Sequence, residues 1–301
     1  MTPLRVVGID AGGTRVRAVL ADVETGAPVG EPVLCAASAS GEPPDLPLFA
    51  ASGVVAVCTG IAKYTRPGVA AAWETRLAEI YPDAVVNIVP DYVIAFHAGV
   101  PNGSGIVVVA GTGSVAYGEN AAIGETARVG GRGWEWGDEG SGTWLTAQMV
   151  LRTLRALDGQ APETTLTNAV CAELLTDDAA ILAQTAGDRA VTVGRGFLVP
   201  LLVRLHATGA AEANGLFVGA GGWLASLAAA NATRLRFSPT DPVTFARAGG
   251  VWEAGGVAVG QAFETAVLRK FPTAVFMRDA PAPVSGAVRL AAITAARKRS
   301  E

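Results

Sequence analysis

The chain has 301 residues, half of them hydrophobic, and a formal net charge of −4. That length can hold two lobes and a sizeable core, while the weakly acidic balance offers no basic face for nucleic acid. Two histidines (His97, His206) and three widely spaced cysteines (Cys35, Cys58, Cys171) leave no basis for a multi-histidine metal site, a cysteine cluster or a disulfide framework.

The opening MTPLRVVGID runs straight into an apolar strand, Leu4–Asp10, so no signal peptide is expected and the cytoplasm is the expected compartment. Thr14–Ala21 and Val29–Ala36 follow after turn residues. Three strands with short connections predict an antiparallel meander. The segment 36–48 carries three prolines and reads as a loop. The apolar stretch 46–62 is interrupted by Ser52, Gly53, Thr59 and Gly60, so it reads as leading into a buried strand over Gly53–Cys58 and not as a membrane span. Pro67 opens a helix to Tyr81 with Val69, Trp73, Leu77 and Ile80 at helical spacing. Val85–Val89 is a further strand and Tyr92–Ala98 a short helix.

The pattern then restarts. Gly105–Ala110 is a strand, Gly111-Thr-Gly113 a tight turn and Ser114–Gly118 a second strand, repeating the unit at the amino terminus. Two such units predict a duplicated α/β fold. Residues 142–231 read as largely helical. Val243–Ala246 is a strand, Gly256–Lys270 a helix, Val275–Met277 a short strand and Pro283–Arg299 a terminal helix. Pro101, Asn102 and Gly103 mark the expected lobe boundary, giving lobes of residues 1–103 and 104–284. Trp73, Trp223 and Trp252 are expected to pack, and His97 to be structural.

Several segments carry chemistry. Val129–Trp144 packs six glycines, three tryptophans and three carboxylates (Glu135, Asp138, Glu139) into sixteen residues. Glycine lets backbone approach a ligand, tryptophan offers a flat apolar face, and carboxylates accept hydrogen bonds from hydroxyls. The combination suits a sugar. Asp10-Ala-Gly12-Gly13-Thr14-Arg15 lies between two strands. Its exposed amides could cradle phosphate oxygens, with Asp10 placed to hold magnesium through water, although Asp and Gly are also ordinary hairpin residues. Gly111-Thr112-Gly113-Ser114 repeats the device, and the pair points to a nucleotide polyphosphate. Asp91, between a strand and a helix, is either a helix cap or a general base at the carboxyl end of a strand. Gly249-Gly250, between strand and helix, could let an adenosine lie against backbone. Gly219–Gly222 competes, but its flanks read as helix.

The ordered set DAGGTR at 10–15, Asp91, GTGS at 111–114, GDEGS at 137–141 and Gly249-Gly250 resembles the N-acetylglucosamine kinase and BadF/BadG ATPase family of the actin–hexokinase superfamily. The resemblance covers nearly the whole chain. It implies a two-lobed actin/hexokinase-like fold, a duplicated ribonuclease-H-like core with the active site in the interlobe cleft, and a carboxyl-terminal helix, 285–301, completing the first lobe. It implies ATP and magnesium as cofactors, with Asp10, Gly12, Gly13, Thr14, Arg15, Gly111, Thr112 and Gly113 around the phosphates, Asp10 at the metal and Gly249-Gly250 at the adenosine. Asp91 is implied as the catalytic base. Ser40, Ser114, Gly131, Arg132, Gly133, Glu135, Asp138 and Glu139 are the implied sugar contacts.

The chain departs from the family pattern in places. Arg132 stands where the family has a tryptophan, Val115 where it often has Asn, and Ala37-Ser-Ala-Ser40 where an Asn meets the sugar amide. Those losses, with Glu135 and Asp138 available to an ammonium, make glucosamine the expected acceptor, as in the glucosamine kinases of actinobacteria. Twenty arginines against three lysines fit a GC-rich bacterial genome. N-acetylglucosamine is the near alternative. A sugar- or nucleotide-sensing protein without turnover is the alternative from another class. A BadF-type activator with a cysteine-held iron–sulfur cluster is disfavoured by the cysteine spacing. No membrane or nucleic-acid partner is expected, and the family leaves room for a homodimer.

Overall fold

The computed structural model describes residues 3–44, 49 and 53–298. It divides into two compact units, Met1–Val107 with Met277–Glu301, and Val108–Phe276.

In the first unit, β1 (Arg5–Ala11), β2 (Arg15–Asp22), β3 (Val33–Ala36), β4 (Val54–Ile61) and β5 (Val85–Pro90) form one sheet in the order β3-β2-β1-β4-β5. The β1–β2–β3 meander is antiparallel, and β4 and β5 add in parallel beside β1. These central strands are apolar at nearly every position because both faces of the sheet are covered. On one face Val7, Ile9, Ala11, Val57 and Ile61 pack with Val69, Trp73 and Leu77 of α1 (Val69–Ile80). On the other, Val6, Ala56 and Cys58 pack with Ile94 of α2 (Asp91–Gly99) and with Val284, Ala287, Val288 and Ala291 of α9 (Pro283–Lys298). Glycines set how close these helices come: a Cβ on Gly60 would lie 2.4 Å from Ile94 Cδ1. Part of the stretch read as leading into β4, residues 45–48 and 50–52, and the last residues of the expected terminal helix, 299–301, lie outside the described residues.

The second unit's sheet comprises β6 (Ser104–Ala110), β7 (Ser114–Asn120), β8 (Glu125–Gly130), β9 (Thr244–Ala248) and β10 (Val275–Met277), in the order β10-β9-β6-β7-β8. The division between the units falls inside β6. Counted from the first strand of each half, both sheets have the order third-second-first-fourth-fifth, so the repeated strand–glycine turn–strand of the sequence is one part of a repeated topology. Between β8 and β9 run α3 (Gly142–Leu157), α4 (Thr165–Leu174), α5 (Ala179–Thr192), α6 (Val199–Ala207) and α7 (Ala211–Arg234), and α8 (Gly250–Leu268) follows β9. Among the described residues α7 alone has the length and apolarity of a membrane span, and half of its most apolar window is buried in the protein. Buried Asn231 of α7 donates through Nδ2 to the carbonyls of Ala116 and Ala127, 3.0 and 2.9 Å away on β7 and β8.

Some expectations shift. The third strand starts at Val33, with only an isolated bridge from Ala21 to Pro28 before it. The strand β8, ETARVG, was not foreseen, because it is a half-buried edge strand without clear alternation. The expected helix 256–270 begins at Gly250, and Gly256 is a break inside it with φ 48°. Trp73 is buried, but Trp223 stands 47 % exposed on α7 and is not a packed core residue.

Candidate active site

In the first unit, Asp10 and Asp91 belong to one carboxyl-terminal sheet edge. Asp10 is the penultimate residue of β1 and pairs with Gly60 of β4, which pairs in turn with Val89 of β5. Asp91 follows β5 directly and opens α2. Parallel strands deliver their ends to one side, which brings the two carboxylates together. Burial and the neighbouring Asp91 charge push Asp10 up to about 6, against a smaller downward pull from Arg17. Burial also raises Asp91. Its Oδ1 accepts from the Tyr92 amide at 2.8 Å, one residue away. The cap position of α2 is Pro90, and Asp91 does not serve as its side-chain cap. A half-buried carboxylate with a raised pKa at the end of a strand suits a general base.

The Gly12–Arg15 turn joins β1 to β2. Gly13, Thr14 and Arg15 are exposed, and a Cβ on Gly13 would meet nothing within 4 Å. Neither Gly12 nor Gly13 has a positive φ; Gly13 leaves room above the backbone, while a Cβ on Gly12 would lie 3.2 Å from the Arg15 carbonyl oxygen. The Thr14 carbonyl accepts from the Ala37 amide at 3.0 Å, tying the turn to the loop after β3. Exposed Ser40 lies on that loop, its hydroxyl 2.7 Å from Ser38 Oγ and 3.2 Å from Glu42 Oε2. A small concavity lined by Gly12, Ser38, Gly41, Glu42, Lys63 and Trp73 opens beside it.

In the second unit, the GTGS and GDEGS segments are wound around each other. The Gly142 amide donates to the Gly111 carbonyl at 2.8 Å, and the Thr143 hydroxyl to the Thr112 carbonyl at 2.7 Å. Ser114 is buried. Its hydroxyl donates to the Glu139 carbonyl at 2.7 Å, and its amide to Asp138 Oδ1 at 3.3 Å. Asp138 sits at φ 63°, in the left-handed region that aspartate tolerates better than most residues, with its carboxylate bonded to the Ser114 amide. Burial raises its pKa, against the opposing Ser114 amide. A Cβ on Gly113 would lie 2.8 Å from Asp138 Oδ2, so a side chain there would displace the Asp138 carboxylate. Gly131, at φ 64°, donates its amide to the Ser114 carbonyl at 2.9 Å. Ser114, Gly131, Asp138 and Glu139 are therefore gathered around one loop.

Arg132, Gly133 and Glu135 are not among them and lie on an exposed turn. That turn is anchored by Arg195, whose guanidinium carbon stands 3.7 Å from the Trp134 ring centre. Gly249, at φ 99°, is pressed against the Ala110 carbonyl, where a Cβ would come within 2.4 Å of the oxygen. It caps α8, whose first residue, Gly250, is exposed and open. Trp252 donates its indole N–H to the Val108 carbonyl at 3.1 Å and fixes the helix start against β6. The competing Gly219–Gly222 lies inside α7. Lys63, Arg66 and Glu42 carried no motif and were missed. Only their contacts mark them.

The model of the BadF/BadG/BcrA/BcrD ATPase family matches residues 49–291. The chain belongs to this family. Membership implies ATP as the nucleotide. An N-acetylmuramic acid/N-acetylglucosamine kinase of Clostridium acetobutylicum is 33 % identical over 111 residues, 37 % of this chain. The match spans 36 % of that relative's length. A Chromobacterium violaceum protein, provisionally named an N-acetylglucosamine kinase, superposes with a TM-score of 0.68 at 26 % identity, over 96 % of this chain and 99 % of its own. A glucokinase of the ROK family from Streptomyces griseus, solved with glucose and AMPPNP, has a TM-score of 0.53 at 16 % identity, over 96 % and 98 % of the two chains. The last likeness bears on the fold alone, which is the actin/hexokinase-like α/β fold.

Proposed function

We propose that the chain is an ATP-dependent kinase of an amino sugar, phosphorylating the 6-hydroxyl of N-acetylglucosamine. The observation that carries this reading is Asp91, a half-buried carboxylate directly after β5, at the same sheet edge as Asp10, with its pKa raised by desolvation. Asp91 accepts the proton of the attacking hydroxyl, and the freed oxygen displaces ADP from the γ-phosphorus. Glycine-flanked amides at residues 12–14 and 111–113 bind phosphate oxygens, and Gly249-Gly250 receives the adenosine.

Asp10 suits magnesium. A carboxylate raised to about 6 beside a second one is relieved by a nearby cation. Among the described residues no three acidic, histidine or cysteine side chains cluster as a metal cage. That fits an ion held mainly by nucleotide phosphates and water, with one protein carboxylate. When bound, magnesium supplies charge neutralisation on the phosphates.

The acceptor is taken as N-acetylglucosamine because two relatives carry that sugar in their names. Glucosamine is the second reading, favoured by the exposed Glu135 carboxylate on the 133–136 turn. Asp138 supports it less than its sequence position promised, since its Oδ1 is already engaged by Ser114. Phosphate transfer measured on N-acetylglucosamine, glucosamine and glucose separates these readings. ATP binding with no transfer to any of them would indicate a sensing protein and reject the kinase.

A further inference from the structure

The loop after β3 has an unusual set of partners. Four successive carbonyls, those of Ser38, Ala39, Ser40 and Gly41, all accept from side chains of the β4–α1 connection and the first turns of α1. Lys63 Nζ donates to Ala39 at 2.7 Å and to Ser38 at 3.3 Å. Arg66 makes weaker contacts to Ala39 and Ser40, both at 3.4 Å. The Trp73 indole N–H donates to Gly41 at 2.9 Å. The Lys63 stem lies under Gly41, where a Cβ would meet Lys63 Cδ at 3.0 Å and where φ is +91°. Ordinary surface loops leave their carbonyls to water. Here they are consumed, and of the bonded set Ser38–Ser40–Glu42 the loop offers the Ser38 hydroxyl and the Glu42 carboxylate to the concavity that Ser38 and Glu42 line.

We propose that Lys63 is a positioning residue that fixes the 37–42 loop as the part of the site that reads the sugar. The inference rests on the sugar-kinase reading above. Lys63 touches neither the Asp10–Asp91 pair nor the phosphate turns through any side-chain bond, so it acts through the loop. Burial and the like charge of Arg66 both push its pKa down, and the two carbonyl bonds oppose that push. The two charge-assisted bonds of Lys63 act with the Arg66 and Trp73 bonds on the loop's carbonyls, and their loss falls on the ligand the loop contacts.

The test is steady-state kinetics of wild type, Lys63→Met and Lys63→Arg with the best sugar of the panel. The expected result for Lys63→Met is a sugar KM raised tenfold or more, with kcat within about threefold and ATP KM unchanged, as removal of ground-state positioning requires. Lys63→Arg, which keeps a donor, should recover part of the loss. A Lys63→Met sugar KM within twofold of wild type overturns the inference, as does an equal rise in ATP KM. If Lys63→Met does not fold, Gly41→Ala decides. It crowds the same stem from the loop side and must raise sugar KM alone, and an unchanged value overturns the proposal. A wild-type protein that phosphorylates no sugar overturns the kinase reading and this inference with it. An active wild type with an unaffected Lys63→Met overturns only the inference.

Discussion

Replacing Asp10 with Asn should stabilise the metal-free protein at alkaline pH while destroying its activity. The folded state raises this carboxyl from 3.8 to about 6, chiefly through burial and secondarily through Asp91. The native state therefore binds the proton more tightly than the unfolded chain. Stability falls as pH rises from 3.8 towards 6, and above that the ionised Asp10 carries its full cost. A shift of about two units corresponds to about 3 kcal/mol at pH 8 and about 1 kcal/mol at pH 4.5. Asn keeps the shape and carries no charge, so it should return up to about those amounts. Urea unfolding in EDTA at both pH values, with midpoints compared at a common slope, measures this. Asp10→Asn should gain more at pH 8 than at pH 4.5. An equal gain at both values, or a less stable variant at pH 8, would refute the argument that an uncompensated carboxylate pair is built into this sheet edge. Magnesium and nucleotide together should narrow the difference by stabilising wild type only.

Asp91→Asn should retain nucleotide and sugar binding and lose about 10²- to 10⁴-fold in kcat, as expected for a missing base. A variant above a tenth of wild-type kcat removes Asp91 from the chemistry. Transfer should stop in excess EDTA and return with added magnesium, and activity persisting without divalent metal counts against Asp10 as its holder. Gly249→Ala should cost about 2 kcal/mol or more and raise ATP KM, because the new Cβ meets the Ala110 carbonyl at 2.4 Å and φ is 99°. Unchanged thermal stability would show that the turn relaxes freely. Glu135→Gln should narrow any preference for glucosamine over glucose, read as the ratio of kcat/KM, and an unmoved ratio places the amine's partner elsewhere.

Much of this architecture could be read from residue order, for identifiable physical reasons. β1, β4 and β6 are apolar at most positions because their central residues are buried, and α1 shows its spacing because Val69, Trp73 and Leu77, with Ile80 partly buried, face the core. The strand–glycine turn–strand repeat pointed to a repeated sheet, since a turn with two glycines between apolar strands is a local signal. β8 escaped because an edge strand with ETARVG has no alternation to find. The helix α8 began six residues early because Gly250 and the break at Gly256 both look like stops in a string of letters. Within the candidate site, Asp10 and Asp91 could be singled out as carboxylates at strand ends, but their mutual influence depends on Gly60 of β4 standing between β1 and β5. The clustering of Ser114, Gly131 and Asp138 depends on a left-handed Asp138 and on bonds to residues some 24 positions away, which residue order alone does not locate. Lys63 was only one of three lysines until its bonds to the 37–42 loop were seen.

The most direct measurement is ATP-dependent sugar phosphorylation by the purified protein, followed by coupled ADP release with mass and positional analysis of the product. It should be run on N-acetylglucosamine, glucosamine and glucose with magnesium present. The expected product is a 6-phosphorylated amino sugar, formed with highest kcat/KM from N-acetylglucosamine, with glucose poorest and with Asp91→Asn inactive. Glucosamine ahead of N-acetylglucosamine would keep the kinase and reverse the acceptor. ADP release that no sugar accelerates, or a phosphorylated sugar formed equally well by Asp91→Asn, would contradict the account.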